Sequence, residues 1–254
     1  KMLESEGFKE ITLLGQNVNS YVSPDTGEDF ADLLSTVAKT VPNMRIRFTT
    51  SHPKDISDKL IITMAENKNI CKHLHLPVQS GSNKILKLMN RKYTVEHYLE
   101  RINKIREILP DCSLTTDLIA GFPTESIEDH QGTLDILQKA RYDGAFMFRY
   151  SPREGTKAYD LADDVPEDEK IRRLNEIIAL QNTIALDLNK AEIGRIHEVL
   201  AEGPSKRNKS QWQGRTDTNK VVIFPIPDKI RKGDILKVQI KRYTSATLFG
   251  EIIL

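Results

Sequence analysis

Up to about Thr156 the chain alternates short apolar or alternating segments with longer stretches whose apolar residues recur every three to four positions. The first kind reads as strands and the second as helices, because side chains alternate across a strand but return to one helix face after about 3.6 residues. Phe8–Val18, with its apolar centre Ile11-Thr12-Leu13-Leu14, predicts a strand. Arg45–Thr49 alternates so that Ile46 and Phe48 share a face, and His73–Val78 alternates likewise. Ser113–Ala120 and Gly144–Tyr150 are the remaining strands of this part, the last placing Phe146, Phe148 and Tyr150 on one face. Helices are predicted over Asp32–Lys39, Asp55–Glu66 and Asn83–Met89. Thr94 is a candidate N-cap for a helix whose stripe runs Val95, Tyr98, Leu99, Ile102, Ile105, Leu109 and which Pro110 ends. Ser126 and Asp129 open another. Repeated strand–helix units predict an α/β fold, a parallel sheet with helices outside. The opening helix leads directly into a strand, so a preceding strand and its loop are expected to be missing.

Pro166 marks the start of a long helix to about Lys190, with Ile171, Leu174, Ile178, Ala185 and Leu188 along one side. Beyond Gly194 the pattern changes to short β-like segments: Arg195–Glu202, Trp212–Arg215, Val221–Phe224, Ile235–Arg242 and Ala246–Ile253. Closely spaced strands in so short a tail predict a small all-β, oligonucleotide-binding-like barrel. The domain division expected is therefore residues 1–189, including a linker helix over 166–190, and residues 190–254. No internal repeat or low-complexity tract is visible.

Composition adds little until it is divided. The 254 residues are 39% hydrophobic and 29% charged, ordinary for a globular protein. No apolar run is long enough to span a bilayer, so no membrane role and a cytoplasmic location are expected. The chain begins at Lys1 rather than Met, and its natural start is expected to have been removed. The net charge of +1 conceals an asymmetry: residues 1–189 carry 24 Lys/Arg against 29 Asp/Glu, while residues 190–254 carry 13 against 7. A basic tail of +6 on a body of −5 points to a polyanionic partner for the tail. Cys71 and Cys112 match no zinc or iron–sulfur spacing and read as two buried thiols. No metal ligands and no catalytic side chain are assigned from the residues.

Ligands of parallel α/β folds bind at the carboxyl ends of the strands. Those ends carry Gly15-Gln16-Asn17, Thr49-Thr50-Ser51-His52-Pro53, Pro77-Val78-Gln79-Ser80-Gly81-Ser82, Gly121-Phe122-Pro123 and Tyr150-Ser151-Pro152-Arg153-Glu154-Gly155-Thr156. Thr115-Thr116-Asp117 lies within the fourth strand. Amides, hydroxyls and glycine backbones recurring at every end suggest one site for a polar organic ligand. Gln79 reads equally as a ligand contact or an amide bonding its own loop, and Arg153 as a contact or a partner of Glu154. His73 and His75 read as satisfied interior groups. In the tail, Lys206, Arg207, Lys209, Arg215 and Lys220 lie near Trp212, a combination that suits RNA, although a lone Trp also serves as core.

Leu13-Leu14-Gly15-Gln16-Asn17-Val18-Asn19-Ser20-Tyr21, Arg45–Pro53, His73–Ser82, Thr116–Glu125 and Tyr150–Thr156 resemble, in order, segments of the radical-SAM methylthiotransferases. Ser205-Lys206-Arg207, Gly214-Arg215-Thr216-Asp217 and Asn219–Phe224 resemble the TRAM domain of the tRNA-modifying (MiaB-type) branch. The resemblance implies a partial (β/α) radical-SAM, TIM-like barrel lacking its first strand, followed by a TRAM RNA-binding domain. It implies S-adenosyl-L-methionine and two 4Fe-4S clusters in the intact enzyme, whose cysteine triads this chain does not contain. The implied reaction methylthiolates C2 of N6-isopentenyladenosine beside the anticodon: a 5′-deoxyadenosyl radical removes hydrogen, and a methylated sulfur is inserted. By the same resemblance Asp117 and the Gly121 turn lie near S-adenosylmethionine, with Gln16, Ser51, Gln79, Ser80 and Arg153 as further cofactor contacts. The implied partners are a tRNA anticodon stem-loop and an electron donor such as flavodoxin or ferredoxin. Two alternatives stay open: an enzyme acting on a ribosomal protein, and a non-catalytic RNA-binding protein on a worn barrel.

Overall fold

Local capping decides where most elements of the body begin. The computed structural model describes residues 1–49, 51–226 and 230–253; Thr50, in the second strand-end cluster, lies outside them. After α1 (Met2–Ser5) come β1 (Glu10–Leu14), α2 (Phe30–Thr40), β2 (Arg45–Thr49), α3 (Asp58–Glu66), β3 (His73–His75) and α4 (Asn83–Leu88). α5 (Val95–Ile108), β4 (Ser113–Ala120), α6 (Ile127–Ala140), β5 (Gly144–Arg149) and α7 (Glu167–Lys190) complete the body. α2 starts two residues before the expected Asp32, because Asp29 accepts from the Asp32 N–H and Asp32 from the Asp29 N–H. α3 starts later than Asp55, because Pro53–Asp55 forms a 3-10 turn and Ser57 supplies the cap. Thr94 caps α5, and Ser126 with Asp129 forms the capping box of α6.

β1 is shorter than Phe8–Val18: it stops at Leu14, and the chain turns into a 3-10 segment at Val18–Ser20. β3 stops at His75, ahead of Pro77, which has no N–H for a ladder. Pairing resumes at Gln79, which donates its N–H to the Asp117 carbonyl and accepts from the Ile119 N–H. Every strand pair of the body is parallel. β1 lies beside β2, a parallel bridge from Ile46 to Ile70 leads towards β3, and β3, β4 and β5 follow in order.

The sheet has two unlike faces. Ile46, Phe48, Leu74, Leu114 and Leu118 are buried against Leu34, Ile61, Met64, Tyr98, Ile102 and Leu137 of the helices. The opposite face carries Arg47, His73, His75, Thr115 and Asp117, all partly exposed, with Phe146 and Phe148 of β5 61% and 54% exposed. A parallel sheet normally has helices on both faces. Helices on one face and polar groups on the other make this the inner wall of an open barrel. Tyr150 does not share the exposed face of Phe146 and Phe148: β5 ends at Arg149, and Tyr150 turns in to pack on Phe122 at 5.1 Å.

α7 also departs from its apolar stripe. Ile171 is exposed, and the buried face is Lys170, Arg173, Ile177, Gln181, Ile184, Ala185 and Asn189. Its polar members are matched: Lys170 with Asp163, Arg173 with Glu125, Gln181 with the Tyr142 carbonyl, and Asn189 with the Thr244 and Ser245 carbonyls. Pro166 occupies the N-cap position rather than the first turn.

β6 (Ile196–Pro204), β7 (Gln211–Arg215), β8 (Val221–Pro225), β9 (Ile235–Tyr243) and β10 (Leu248–Ile252) close into a barrel in the order β10-β8-β7-β6-β9. Val199, Ala201, Val222, Phe224, Val238, Ile240 and Leu248 fill it. Two arginines of β2 join it to the body. Arg45 donates to the carbonyls of Arg215 (3.1 Å) and Glu198 (2.8 Å), and Arg47 to those of Asp217 (2.9 Å) and Thr216 (2.6 Å). Arg45 opens β2, and Lys220 of the small barrel meets Asp143 just before β5, so the small barrel sits on the floor of the open one, away from the carboxyl ends.

Candidate functional site

The carboxyl ends of β3 and β4 form one cradle. Gln79 adopts a left-handed backbone (φ 70°), which lets its N–H and carbonyl both reach β4 while its side chain stays free of that ladder. Ser80 is fully buried and accepts from the Ser82 N–H. Gly81 lies so closely against Gly132 of α6 that an added Cβ would overlap the Gly132 carbonyl oxygen, which packs the turn directly on the helix backbone. Ser82 donates to Asp129, which also receives Lys84 at 2.8 Å. Burial opposes ionisation of Asp129, but hydrogen bonds from Lys84, Ser82 and Ser126 outweigh it and bring the carboxyl down to about 2.

Gly121 closes the cradle from β4. Its φ of 71° favours glycine, and its N–H donates to Glu125 Oε2 at 2.7 Å. The Glu125 side chain is fully buried and meets Arg173 of α7 at 2.9 Å. Lys170 covers the same turn, with its ammonium 5.5 Å from the Tyr150 ring centroid. The turn is thus held by a carboxylate and two cations that sequence reasoning did not single out; the signal was Glu125 four residues after Gly121.

Asp117 is partly exposed on the inner wall, with an oxygen 3.4 Å from His75 Nε2. His75 Nδ1 and His73 Nε2 both contact Thr115 Oγ1, at 3.1 and 3.0 Å. Burial lowers the His73 pKa to about 4, so the ring is neutral near pH 7. Burial also raises the Tyr93 hydroxyl to about 12; it stays protonated and shares its hydrogen bond between the Pro77 and Val78 carbonyls. The Tyr93 ring packs on His52, beside the buried Ser51, which connects the β2 end to the β3 end.

Gln79, Ser80, Asp117 and Gly121 are therefore brought together, with Ser51 adjoining through Tyr93. Gln16 and Arg153 sit exposed on the flanks, after β1 and β5 respectively. The Asn17 amide, next to Gln16, ties the β1 end to Asp55 at 2.7 Å. Among the described residues the Arg153 guanidinium makes no ion pair with Glu154.

The tail candidates are divided. Lys206, Arg207 and Lys209 are exposed in the loop between β6 and β7. Trp212 is partly buried against the small barrel's core. Arg215, at the far end of β7, contacts Glu202 at 3.0 Å and Asn219. Lys220 lies at the floor, its ammonium 2.7 Å from Asp143 and 2.9 Å from Asn189.

Cys71 and Cys112 sit just before β3 and β4, at the floor, and burial raises their thiols to about 11 and about 12. Two protonated, buried thiols do not fit an iron–sulfur cluster, which needs several thiolates brought together. Among the described residues no group of three or more His, Cys, Asp or Glu is arranged to hold a metal ion.

The arrangement is that of an open (β/α) barrel with an appended five-stranded β-barrel on its floor. Comparison with known families agrees: the chain belongs to the radical SAM superfamily, which it matches over residues 1–137, and residues 190–253 match the TRAM domain. It is 56% identical over 252 residues to a tRNA-2-methylthio-N(6)-dimethylallyladenosine synthase of Phocaeicola vulgatus, covering 98% of this chain and 55% of that protein. A synthase of the same name from Chloroherpeton thalassium is 53% identical over 254 residues, covering 100% of this chain and 56% of its own length. The chain thus spans about half the length of these curated relatives. Among solved structures, coproporphyrinogen III oxidase of Escherichia coli, a radical SAM enzyme, superposes with a TM-score of 0.51 at 17% identity, covering 87% of this chain and 55% of that one. That likeness supports the fold alone.

Proposed function

We propose that the chain is the cofactor-cradling and RNA-docking part of a tRNA methylthiotransferase acting at C2 of N6-isopentenyladenosine. The observation that carries the reading is the cradle at the ends of β3 and β4, set on a chain more than half identical to synthases named for that product. Gln79, Ser80, Asp117 and Gly121 would cradle S-adenosyl-L-methionine: the Gln79 amide and Asp117 carboxylate would offer it hydrogen bonds, and the Ser80 and Gly121 turns would shape the backbone around it. Ser51 would extend the cradle, and Gln16 and Arg153 would approach from its flanks. When bound with a cluster, this cofactor supplies radical chemistry. This chain's own groups would orient it: buried Glu125 and Arg173 hold the Gly121 turn, and Gly81 against Gly132 holds the Gln79–Ser80 turn. The two 4Fe-4S clusters of the intact enzyme would be held by residues outside this chain.

The TRAM domain would meet the anticodon stem-loop through Lys206, Arg207, Lys209, Trp212 and Arg215, with Lys220 at the junction. An electron donor such as flavodoxin or ferredoxin belongs to the same reading, as does a cytoplasmic location. No helix among the described residues is long and apolar enough to cross a membrane. Action on a ribosomal protein and a purely RNA-binding role are not favoured, since the quoted relatives are named for the tRNA product. Deleting the gene and digesting cellular tRNA to nucleosides tests the proposal. Mass spectrometry should show the 2-methylthio derivative replaced by N6-isopentenyladenosine; an unchanged nucleoside profile would overturn it.

A further inference from the structure

A cleft at the junction of the two barrels belongs neither to the strand-end cradle nor to the basic loop. It is a cavity of about 440 Å³ between β5, α7 and the β7–β8 and β9–β10 turns of the small barrel. That volume suits a small organic ligand. Four features define its chemistry.

Phe146 forms one wall. It is 61% exposed, contributes nothing to the core on its far side, and stands edge-on to His75 at 6.0 Å. Gly144 leaves the wall beside it open; a Cβ there would meet only Thr115 Cγ2, at 3.6 Å. The opposite side offers neutral polar groups: the exposed Asn182 amide and the Ser245 and Thr247 hydroxyls, which have no hydrogen bond within the chain among the described residues. Arg215 lines the cleft with a partly exposed guanidinium whose Nη2 is likewise free among the described residues. Lys220 also lines the cleft but is paired with Asp143 at 2.7 Å, which leaves Arg215 as the cation with a free N–H; with an aromatic plate and neutral donors and acceptors it is the complement of a nucleobase and its phosphate.

We propose that this junction cleft binds one unstacked nucleotide of single-stranded RNA, with its base on Phe146, its edge facing Asn182, and its phosphate near Arg215. The inference rests on the RNA-directed reading above and deepens it. Arg45 and Arg47 give the cleft a fixed width, because they grip the backbone of the turn that carries Arg215. Phe148 lies two residues further along the same strand face, about 6.6 Å on, and continues the track towards the strand-end cradle. A nucleotide held at Phe146 thereby feeds its neighbour towards the cofactor end of the barrel.

The test uses the 254-residue chain and a short stem-loop RNA with 2-aminopurine at one unpaired loop position, moved in turn through the loop. Binding should quench the fluorophore at one position. Phe146→Ala should remove the quench and weaken binding roughly tenfold, the loss of one base–aromatic stack. Phe146→Trp should keep both, and Asn182→Ala should weaken binding several-fold without removing the quench. Because Phe146 is exposed, all three variants should melt with the wild type. Lys206→Ala/Arg207→Ala should lower affinity while leaving the quench in place. If Phe146→Ala binds and quenches like the wild type while the basic-loop variant is weakened, the cleft is no base site, although RNA binding stands. If the wild type binds no RNA, both readings fall.

Discussion

At the scale of single residues, Gly121 is where backbone conformation and packing coincide. Its positive φ suits glycine, and the space a side chain would need is filled by the Lys170 side chain, whose Cγ a Cβ would overlap. Gly121→Ala should lower stability by about 1–3 kcal/mol, read as a fall in urea midpoint at unchanged m-value. His73 supplies a pH signature. Burial holds its folded pKa at about 4 against 6.5 when exposed, so between those values the unfolded chain binds the extra proton. Its contribution to stability is therefore present above about pH 6.5 and is lost progressively as pH falls towards 4, by at most ~3 kcal/mol. His73→Gln, which keeps a partner for Thr115, should flatten the urea midpoint across that window. Identical pH profiles for the two proteins would remove His73 as the cause.

Among the elements, β1 and α7 behave differently from what their patterns suggest. β1 pairs with β2 on one side and is the terminal strand of its sheet. Leu14 on it is 76% exposed, Phe8 just before it is 53% exposed, and Val22 after it is 61% exposed. An unpaired, apolar edge of this kind invites association with another chain. Sedimentation velocity should show the 254-residue chain self-associating as concentration rises, and Leu14→Lys should shift it to monomer without lowering the melting temperature. A monomeric wild type at high concentration would show that the edge is inert. On α7, the apolar stripe locates the packed side only in part: Ala185 is buried and Leu174 and Leu188 pack on the core, but Ile171 is exposed, and four of the buried residues are polar or charged. Asp163, the partner of Lys170, lies seven residues before it, but Glu125, Tyr142 and Thr244, the partners of Arg173, Gln181 and Asn189, are 39 to 55 residues away.

Across the whole molecule the charge division takes on a geometry. The tail's excess of cations is not one patch: β7 runs from the exposed loop of Lys206, Arg207 and Lys209 to Arg215 at the barrel floor. Lys220 is engaged by Asp143, so it contributes to the junction before it meets any ligand. Replacing Lys206, Arg207 and Lys209 by Ala should weaken RNA binding for all sequences alike. Losing three phosphate contacts on single-stranded RNA should make the log–log salt slope shallower by about 2. Filter binding across a salt series reads both, and equal slopes would show that the loop's charge is only solvated surface.

Periodicity and composition determined the order of strands and helices, their parallel pairing, the change to a small β-barrel after Gly194 and the polar character of the strand ends. These are local properties: alternation, capping side chains such as Thr94 and Ser126, and prolines such as Pro77 act over a few residues. Gln79, Ser80 and Gly121 stood out because strand ends are marked in the sequence, whereas Asp117, inside β4, was singled out by the family resemblance. Tertiary structure alone decided that Glu125 and Arg173 meet, 48 residues apart, that Arg45 and Arg47 grip carbonyls 153 to 170 residues away, and that Phe146 stands exposed beside the small barrel. A buried ion pair, a guanidinium on a main-chain oxygen and an uncovered aromatic depend on which distant segment arrives opposite, and no pattern along the chain encodes that arrival.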